Sequence, residues 1–453
     1  MNLRLIPTVL AVALLAPPAT AAKPEALAPG VRVQPLRDGY WLHDTDSKDG
    51  IGSNGLFAPL PGGGVLLVDT AWDEAQTDLL LDFAEARLGG VREAIVTHAH
   101  GDRIGGLRAL RRRGIRAFGH PLTVAKAWAE GALGPEPLSG LAGPGPRVHA
   151  DPRGFEAFYP GKGHTLDTIV VGFPAAKVLA GGCFLKSGAA DGPGYMGEAY
   201  LADWTVSLDA VVARYGGATL VVPGHGPLGG GEAFARTREI AEKARADEER
   251  PRVGAIHEIP PAKPDSSLRY LFYVHGRILE EQGREATSPD FGRYEYDAIL
   301  QALAAEGFEV ISELRKDGDG DSFIRRLVDQ VTRLRRGGVP AERIALVGAS
   351  RGGFLVQQAI ARLGHPGHSY VVLAGCGEAS VKLAPGLRGR GLSIFDASDR
   401  LKPSCAATFA AAPHLTDAHE ITLQTGRDHG LLYKPYPEWV APAAAWSRGR
   451  PLP

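Results

Sequence analysis

Four prolines fall within residues 250–267, at Pro251, Pro260, Pro261 and Pro264, and the hydrophobic pattern differs on either side of them. Proline fixes φ and lacks the N–H that helices and central strands need, so such a stretch separates folded units. Before it, residues 23–250 read as short apolar strands, glycine-rich turns and a few helices. Strands are expected at 65–69 and 94–97, with helical spacing over 73–88 and a charged helix over 231–249. After it, residues 268–453 alternate regularly. Strands are expected at 271–274, 308–312, 344–347, 370–373, 392–395 and 421–423, with amphipathic helices at 323–335 and 354–363 among them. Strands spaced by helices imply an α/β fold with a doubly wound parallel sheet. The expectation is two domains, 23–250 and 268–453, joined by a proline-rich linker at 251–267.

Residues 1–22 read as a secretory signal peptide rather than as fold. Arg4 supplies the positive start, Leu5 to Ala16 is almost wholly apolar, and Ala19-Thr20-Ala21 offers small residues for cleavage. The run is short for a bilayer span, carries Pro7, Pro17 and Pro18, and has no later apolar counterpart, which argues against a stable membrane anchor. The mature chain is expected in the periplasm or outside the cell. Its 50 basic and 51 acidic residues cancel, which excludes a nucleic-acid binder held by bulk charge. Three cysteines are too few for a disulfide scaffold. Nothing in the sequence sets an oligomeric state.

Chemistry enters with His98-Ala99-His100-Gly101-Asp102, directly after an expected strand. Two imidazoles two residues apart at a strand end can meet one metal ion, and the aspartate reaches a neighbouring position. His164 in GKGHT, Cys183 in GGC and His225 in PGHG are further donors on glycine-rich turns at strand ends. A free cysteine is also a common small buried hydrophobe, but its place on a loop after a strand favours the ligand role.

These motifs, with LLVDTAW at 66–72 and GHTLDTIVV at 163–171, resemble the metallo-β-lactamase superfamily, and within it the di-zinc subclass with a cysteine ligand. The resemblance implies an αββα sandwich and two zinc ions per chain. His98, His100 and His164 would hold the first, and Asp102, Cys183 and His225 the second. The usual H-x-H-x-D-H becomes HAHGDR, with Arg103 in the last place, which together with Cys183 points to that subclass. The implied activity is hydrolysis of the β-lactam amide by zinc-activated water, with Asp102 also orienting the nucleophile. Lys186 would bind the substrate carboxylate. Tyr195 stands where many members carry an asparagine that holds the β-lactam carbonyl. Asp69 is expected to fix a ligand or the HAHGD turn. Residues 44–56 would form a mobile flap with Ile51 at its apolar tip. His43, His120 and His149 match no ligand place and read as structural or surface residues.

In the second half, Gly348-Ala349-Ser350-Arg351-Gly352 is a G-x-S-x-G between an expected strand and helix. That setting resembles the nucleophile elbow of α/β-hydrolases. The resemblance implies an oxyanion site at the N–H of Arg351 and the loop at Gly276, and a Ser350–Asp399–His429 triad. Asp396 is the competing acid, and Asp428 is less favoured. Cys376 and Cys405 could pair or remain thiols. Asp317 to Asp321 lacks the glutamate of a calcium loop and reads as a turn with Asp321 capping the next helix. Three readings stay open. The chain is a β-lactamase with a fused hydrolase acting on an ester or amide. Alternatively, it is a serine esterase whose metal half takes another substrate, or a β-lactamase whose second half only binds or stabilises.

Overall fold

The structure, a computed structural model, describes residues 23–248, 252–316 and 318–452. The expected leader at 1–22 lies outside the described residues. In the first half two sheets stack face to face. One has eight strands in sequence order, from Glu25–Ala28 to Glu136–Pro137, antiparallel as far as Val65–Val68 and parallel beyond it. The other has five strands between Arg147–Ala150 and Leu220–Pro223. Their inner faces interlock through Leu56, Leu66, Val68 and Ile95 on one side and Tyr159, Ile169, Val171 and Val222 on the other. The outer face of the first sheet takes helix Glu74–Arg87, whose Leu80, Leu81, Phe83 and Ala84 turn inward. The second takes Leu201–Tyr215 and Glu232–Glu248, with Trp204 and Leu208 wholly buried. The layers therefore run helix, sheet, sheet, helix, because each sheet has two apolar faces to cover.

Local signals set the element ends. The Asp73 side chain accepts the Gln76 N–H at 2.8 Å and starts the first helix, and Gly89 and Gly90, both at positive φ, stop the chain just beyond it.

The main sheet of the second half has seven strands, each paired in parallel with its neighbours, beside a small antiparallel ribbon of Thr287–Ser288 and Gly292–Arg293. Across the sheet they run Ile256–His257, Glu309–Ile311, Tyr270–Val274, Ile344–Ala349, Ser369–Leu373, Gly389–Asp396 and Leu415–Leu423. Helices Tyr296–Ala305 and Pro437–Ser447 cover one face, and Gly320–Arg336 and Arg351–Leu363 the other. This is the doubly covered parallel sheet that the alternation implied.

Two expectations change. The proline-rich stretch is not all linker: Ile256–His257 joins the sheet edge, where Ala255 and His257 carbonyls accept the Val310 and Ser312 N–H groups at 2.8 and 2.9 Å. Only one side of an edge strand must pair, so two residues ahead of Pro260 suffice. Asp321 does not cap the following helix. That helix starts at Gly320, its N-cap is Asp319, and the Asp319 carboxylate accepts from Ser322 and Arg326. Cys376 and Cys405 form a disulfide spanning 29 residues.

Gly105 shows how tightly the first sheet's loops pack. A side-chain carbon there would lie 2.1 Å from the Trp72 carbonyl oxygen. Gly105→Ala is expected to cost about 1–3 kcal/mol through overpacking, lowering the thermal midpoint. Gly217→Ala, with open space around it, should leave the midpoint nearly unchanged. Equal midpoints for the two variants would refute this account of the packing.

Candidate metal centre

Strand Val91–Ile95 ends where the sandwich opens, and the chain turns through His98 and Ala99 to His100, the N-cap of the one-turn helix Gly101–Ile104. Two buried carboxylates fix that turn. Asp69, at φ +63°, accepts the Thr97 N–H at 2.7 Å and the Thr97 hydroxyl at 3.0 Å. Asp167 accepts the Ala99 N–H at 2.9 Å and the Thr123 hydroxyl at 2.8 Å. Cys183 follows strand Val178–Gly182 and His225 follows Leu220–Pro223, so both come from the ends of neighbouring parallel strands in the other sheet.

All six expected ligands converge. The rings of His98, His100 and His164 have centroids 4.5–5.3 Å apart. One donor atom each from Asp102, Cys183 and His225 lies within 4.8 Å of the others, as in the sets His98, His100, Asp102 and His98, His164, Cys183. Orientation suits ligation. His225 Nδ1 lies 2.6 Å from the Gly52 carbonyl, to which it donates. Its Nε2 is then the nitrogen that would ligate in the neutral ring, 3.2 Å from Cys183 Sγ and 3.2 Å from the Asp102 carboxylate. His98 Nε2 and His100 Nδ1 face each other at 2.9 Å, and the buried His164 Nδ1 has no hydrogen-bond partner. Imidazole, carboxylate and thiolate donors aimed at shared space fit a metal such as zinc.

Arg103 neutralises this centre from beneath and is fully buried. One end of its guanidinium donates to the Asn54 carbonyl at 2.6 Å and to Asp69 at 3.2 Å. The other donates to the Gly224 carbonyl at 2.9 Å and to Cys183 Sγ at 3.2 Å, and lies 2.7 Å from Asp102. A side-chain carbon at Gly224 would fall 2.6 Å from that guanidinium, so glycine is required there. Burial alone would raise the Cys183 thiol, but Arg103 and the imidazoles of His164 and His225 outweigh it and hold the thiol well below its usual range. Burial pushes the Asp69 carboxyl up to about 6 against the pull of Arg103 and Thr97.

A cavity of about 1280 Å³ opens above these residues. Ile51 reaches it from the hairpin of strands Trp41–Asp46 and Gly52–Pro59, so the expected flap is two paired strands with a short tip. Lys186, in the cavity wall, is mostly buried, and its ammonium lies 5.3 Å from the Trp204 ring centre. Burial lowers its pKa below the usual lysine value. Tyr195 is half-exposed, its ring edge-on to His100 at 5.5 Å. Among the three remaining histidines, His43 and His120 are buried, His149 is partly exposed, and all three hydrogen-bond backbone carbonyls. Two residues escape a reading of the sequence. Asn54 lies within the expected flap, but no pattern marks its amide, which donates to the Pro223 and Gly226 carbonyls at 3.0 and 2.7 Å and ties the flap strand to the His225 turn. Glu198, 3.2 Å from His100 Nε2, stands in no motif.

In the second half Ser350 follows strand Ile344–Ala349 at φ +52°, ψ −121°, a strained position that opens helix Arg351–Leu363. A side-chain carbon at Gly276 would lie 3.6 Å from Ser350 Cβ, so the loop after Tyr270–Val274 is against the serine. His429 Nδ1 lies 2.8 Å from the buried Asp399 carboxylate. Asp396 instead accepts the Ser398 and Thr425 N–H groups at 3.0 and 2.9 Å, and Asp428 pairs with Arg400 at 2.5 Å. The Arg351 side chain lies 3.3 Å from Glu280.

The family model for the metallo-beta-lactamase superfamily matches residues 47–225. A metallo-beta-lactamase type 2 of Bacillus cereus is 39% identical over 203 residues, covering 44% of this chain and 78% of that protein. One of Bacteroides fragilis is 36% identical over 178 residues, 39% of this chain and 70% of its own. One of Elizabethkingia meningoseptica is 32% identical over 204 residues, 44% of this chain and 79% of its own.

Arg103→Met keeps length and apolar bulk but leaves Asp69, Asp102 and Cys183 buried without their shared cation. A loss of about 3–5 kcal/mol in unfolding free energy is expected from urea denaturation. A loss below about 1 kcal/mol would mean that the guanidinium does not hold the loops together.

Proposed function

Because the chain belongs to the metallo-β-lactamase superfamily, we propose that its first half hydrolyses the amide bond of β-lactam antibiotics with two bound zinc ions. The observation that carries this reading is the convergence of His98, His100, His164, Asp102, Cys183 and His225 beneath one open cavity. His98, His100 and His164 hold one ion, and Asp102, Cys183 and His225 the other. Bound zinc lowers the pKa of water and polarises a carbonyl. The protein's own groups do the rest. Arg103 keeps Cys183 as thiolate and Asp102 as carboxylate, the forms that can ligate. Asp102 also orients the attacking water. Asp69 fixes the turn that aims both histidines. The Lys186 ammonium faces the cavity and takes the substrate carboxylate. Tyr195 offers a hydroxyl to the β-lactam carbonyl from the loop beside His100, and Ile51 excludes water above the bound ring.

For the second half we propose a serine hydrolase of α/β-hydrolase type acting on an ester or amide. The strand order supports it. Tyr270–Val274 has Glu309–Ile311 on one side and Ile344–Ala349 on the other, so successive connections leave in opposite directions there. Ligands bind at the carboxyl ends of strands beside such a reversal, and Gly276 and Ser350 both stand there. Ser350 Oγ attacks the acyl carbon, His429 takes its proton, and Asp399 holds the imidazole. The N–H groups of Arg351 and of the Gly276 loop receive the developing oxyanion. The Cys376–Cys405 disulfide supports export to an oxidising compartment, the periplasm or outside.

A chromogenic cephalosporin separates these readings. Hydrolysis is expected, lost with a chelator and regained with zinc. No turnover by fully zinc-loaded protein sinks the β-lactamase reading. A p-nitrophenyl ester is expected to be cleaved in the presence of chelator, and Ser350→Ala should reduce that rate by at least about 10³-fold. If a fluorophosphonate leaves Ser350 unlabelled, the second half is a binding or stabilising module.

A further inference from the structure

The second half reaches into the wall of the metal centre. Lys126, on helix Pro121–Ala129, is fully buried. Its ammonium contacts Glu198, and lies 3.6 Å from Asp167 and 3.6 Å from Glu342. Glu198 and Asp167 come from the first half. Glu342 comes from the second, in the one-turn helix Ala341–Arg343 just ahead of strand Ile344–Ala349. Glu198 in turn faces His100 Nε2 at 3.2 Å, and Asp167 holds the Ala99 N–H between the two histidines. A chain of side chains thus runs from Glu342 through Lys126 and Glu198 to His100.

The neighbours of Glu342 brace the same segment. Arg343 donates to the Met196 carbonyl at 3.4 Å. A side-chain carbon at Gly197 would lie 2.5 Å from the Pro340 ring. Arg335 contacts Glu130, the residue that ends the helix carrying Lys126, at 3.3 Å. Gly367 leaves room for the Glu342 carboxylate, since a side-chain carbon there would sit 2.3 Å from it. Among the described residues neither Glu342 oxygen has a hydrogen-bond partner, and the carboxylate faces the Lys126 ammonium. Lys126 thus stands among three carboxylates, of which Glu342 is the one that the second half supplies.

We propose that Glu342 is a positioning residue for the metal centre of the other half, holding Lys126 so that Glu198 keeps the His100 imidazole aimed. This rests on the reading of His100 as a metal ligand. A carboxylate on the far nitrogen of a ligating histidine fixes its ring and its tautomer, and loss of such outer partners typically costs 10–100-fold in metal affinity. In this chain the outer carboxylate is itself fixed from the second half, so the two halves are coupled through a ligand.

The test uses the full chain. Glu342→Gln keeps the shape and removes the charge. Zinc affinity, measured by competition with a chromogenic chelator, is expected to fall about tenfold. The absorption bands of the cobalt-substituted protein should shift, and kcat on a cephalosporin should fall with KM little changed. Lys126→Met, which cuts the same chain one step later, should give the same pattern if Glu342→Gln proves too unstable to assay. Glu248→Gln is the control. It breaks the 2.5 Å contact with Arg269 that also joins the halves, away from the six donors, and should leave affinity and spectrum unchanged. Wild-type affinity and spectrum in Glu342→Gln overturn the proposal, as does an equal loss in Glu248→Gln, which would reduce the effect to general docking. If the wild type holds zinc but hydrolyses no β-lactam, the β-lactamase reading fails while affinity and spectrum still decide this one. If the wild type holds no zinc, both fall.

Discussion

The Arg103 guanidinium is the contact on which the first half depends. Six side chains that can bind cations crowd one end of a sandwich, and three of the groups there, Asp69, Asp102 and Cys183, carry or take negative charge. Left alone, such a cluster would be repulsive and poorly solvated. One buried cation answers all three and also ties the Asn54 and Gly224 carbonyls, so the flap strand, the His98 turn and the His225 turn meet on a single planar group. A lysine could not do this, because the separate contacts use the fixed fork of the guanidinium. The arrangement also prepares the thiol: with Arg103 and two imidazoles beside it, Cys183 needs little help to lose its proton.

How much of this was readable in the sequence follows from where the signals lie. His98, His100, Asp102, His164, Cys183 and His225 stand in short motifs at strand ends, and strand ends are where a fold brings distant segments together. Their convergence was therefore legible. Arg103 was visible only as a departure from a histidine, not as the hub it is. Asp167 and Asn54 lay inside segments already singled out and Lys126 and Glu198 in none, but the roles of all four were hidden, because each acts through a partner more than forty residues away in contacts that no local pattern encodes. The same holds in the second half. Regular alternation announced a parallel sheet, and G-x-S-x-G announced the turn at Ser350. Asp396 ends one strand and Asp399 lies just beyond it, so no local pattern separates them, and only coordinates show Asp399 against His429 while Asp396 is held by the Thr425 N–H. Ile256–His257 was hidden by the prolines after it, which dominate the composition of the stretch without reaching the two residues that pair.

The halves also stand in a definite relation. Strand Ile344–Ala349 has Glu342 just before its start and Ser350 just after its end. Six residues of strand span roughly 20 Å, so the metal centre lies near one end of the second sheet and the serine site at the other. The two proposed sites therefore stand at opposite ends of that strand, too far apart for one bound substrate to touch both.

What the fusion does provide is a wall. In a lone sandwich, the segment from Tyr195 to Glu198 would be an outer loop, free to move at the mouth of the cavity. Here Pro340 and Arg343 press on it from the second half and Glu342 reaches it through Lys126, and the turn that presents them leads into a central strand rather than being a loop of its own. Rigidity is transmitted best from elements that cannot shift without disturbing a core, and Ile344 and Leu346 on that strand are buried in one. The loop facing substrate thus takes its position from the sheet of the neighbouring half, and any substrate preference set by Tyr195 is a property of both halves together.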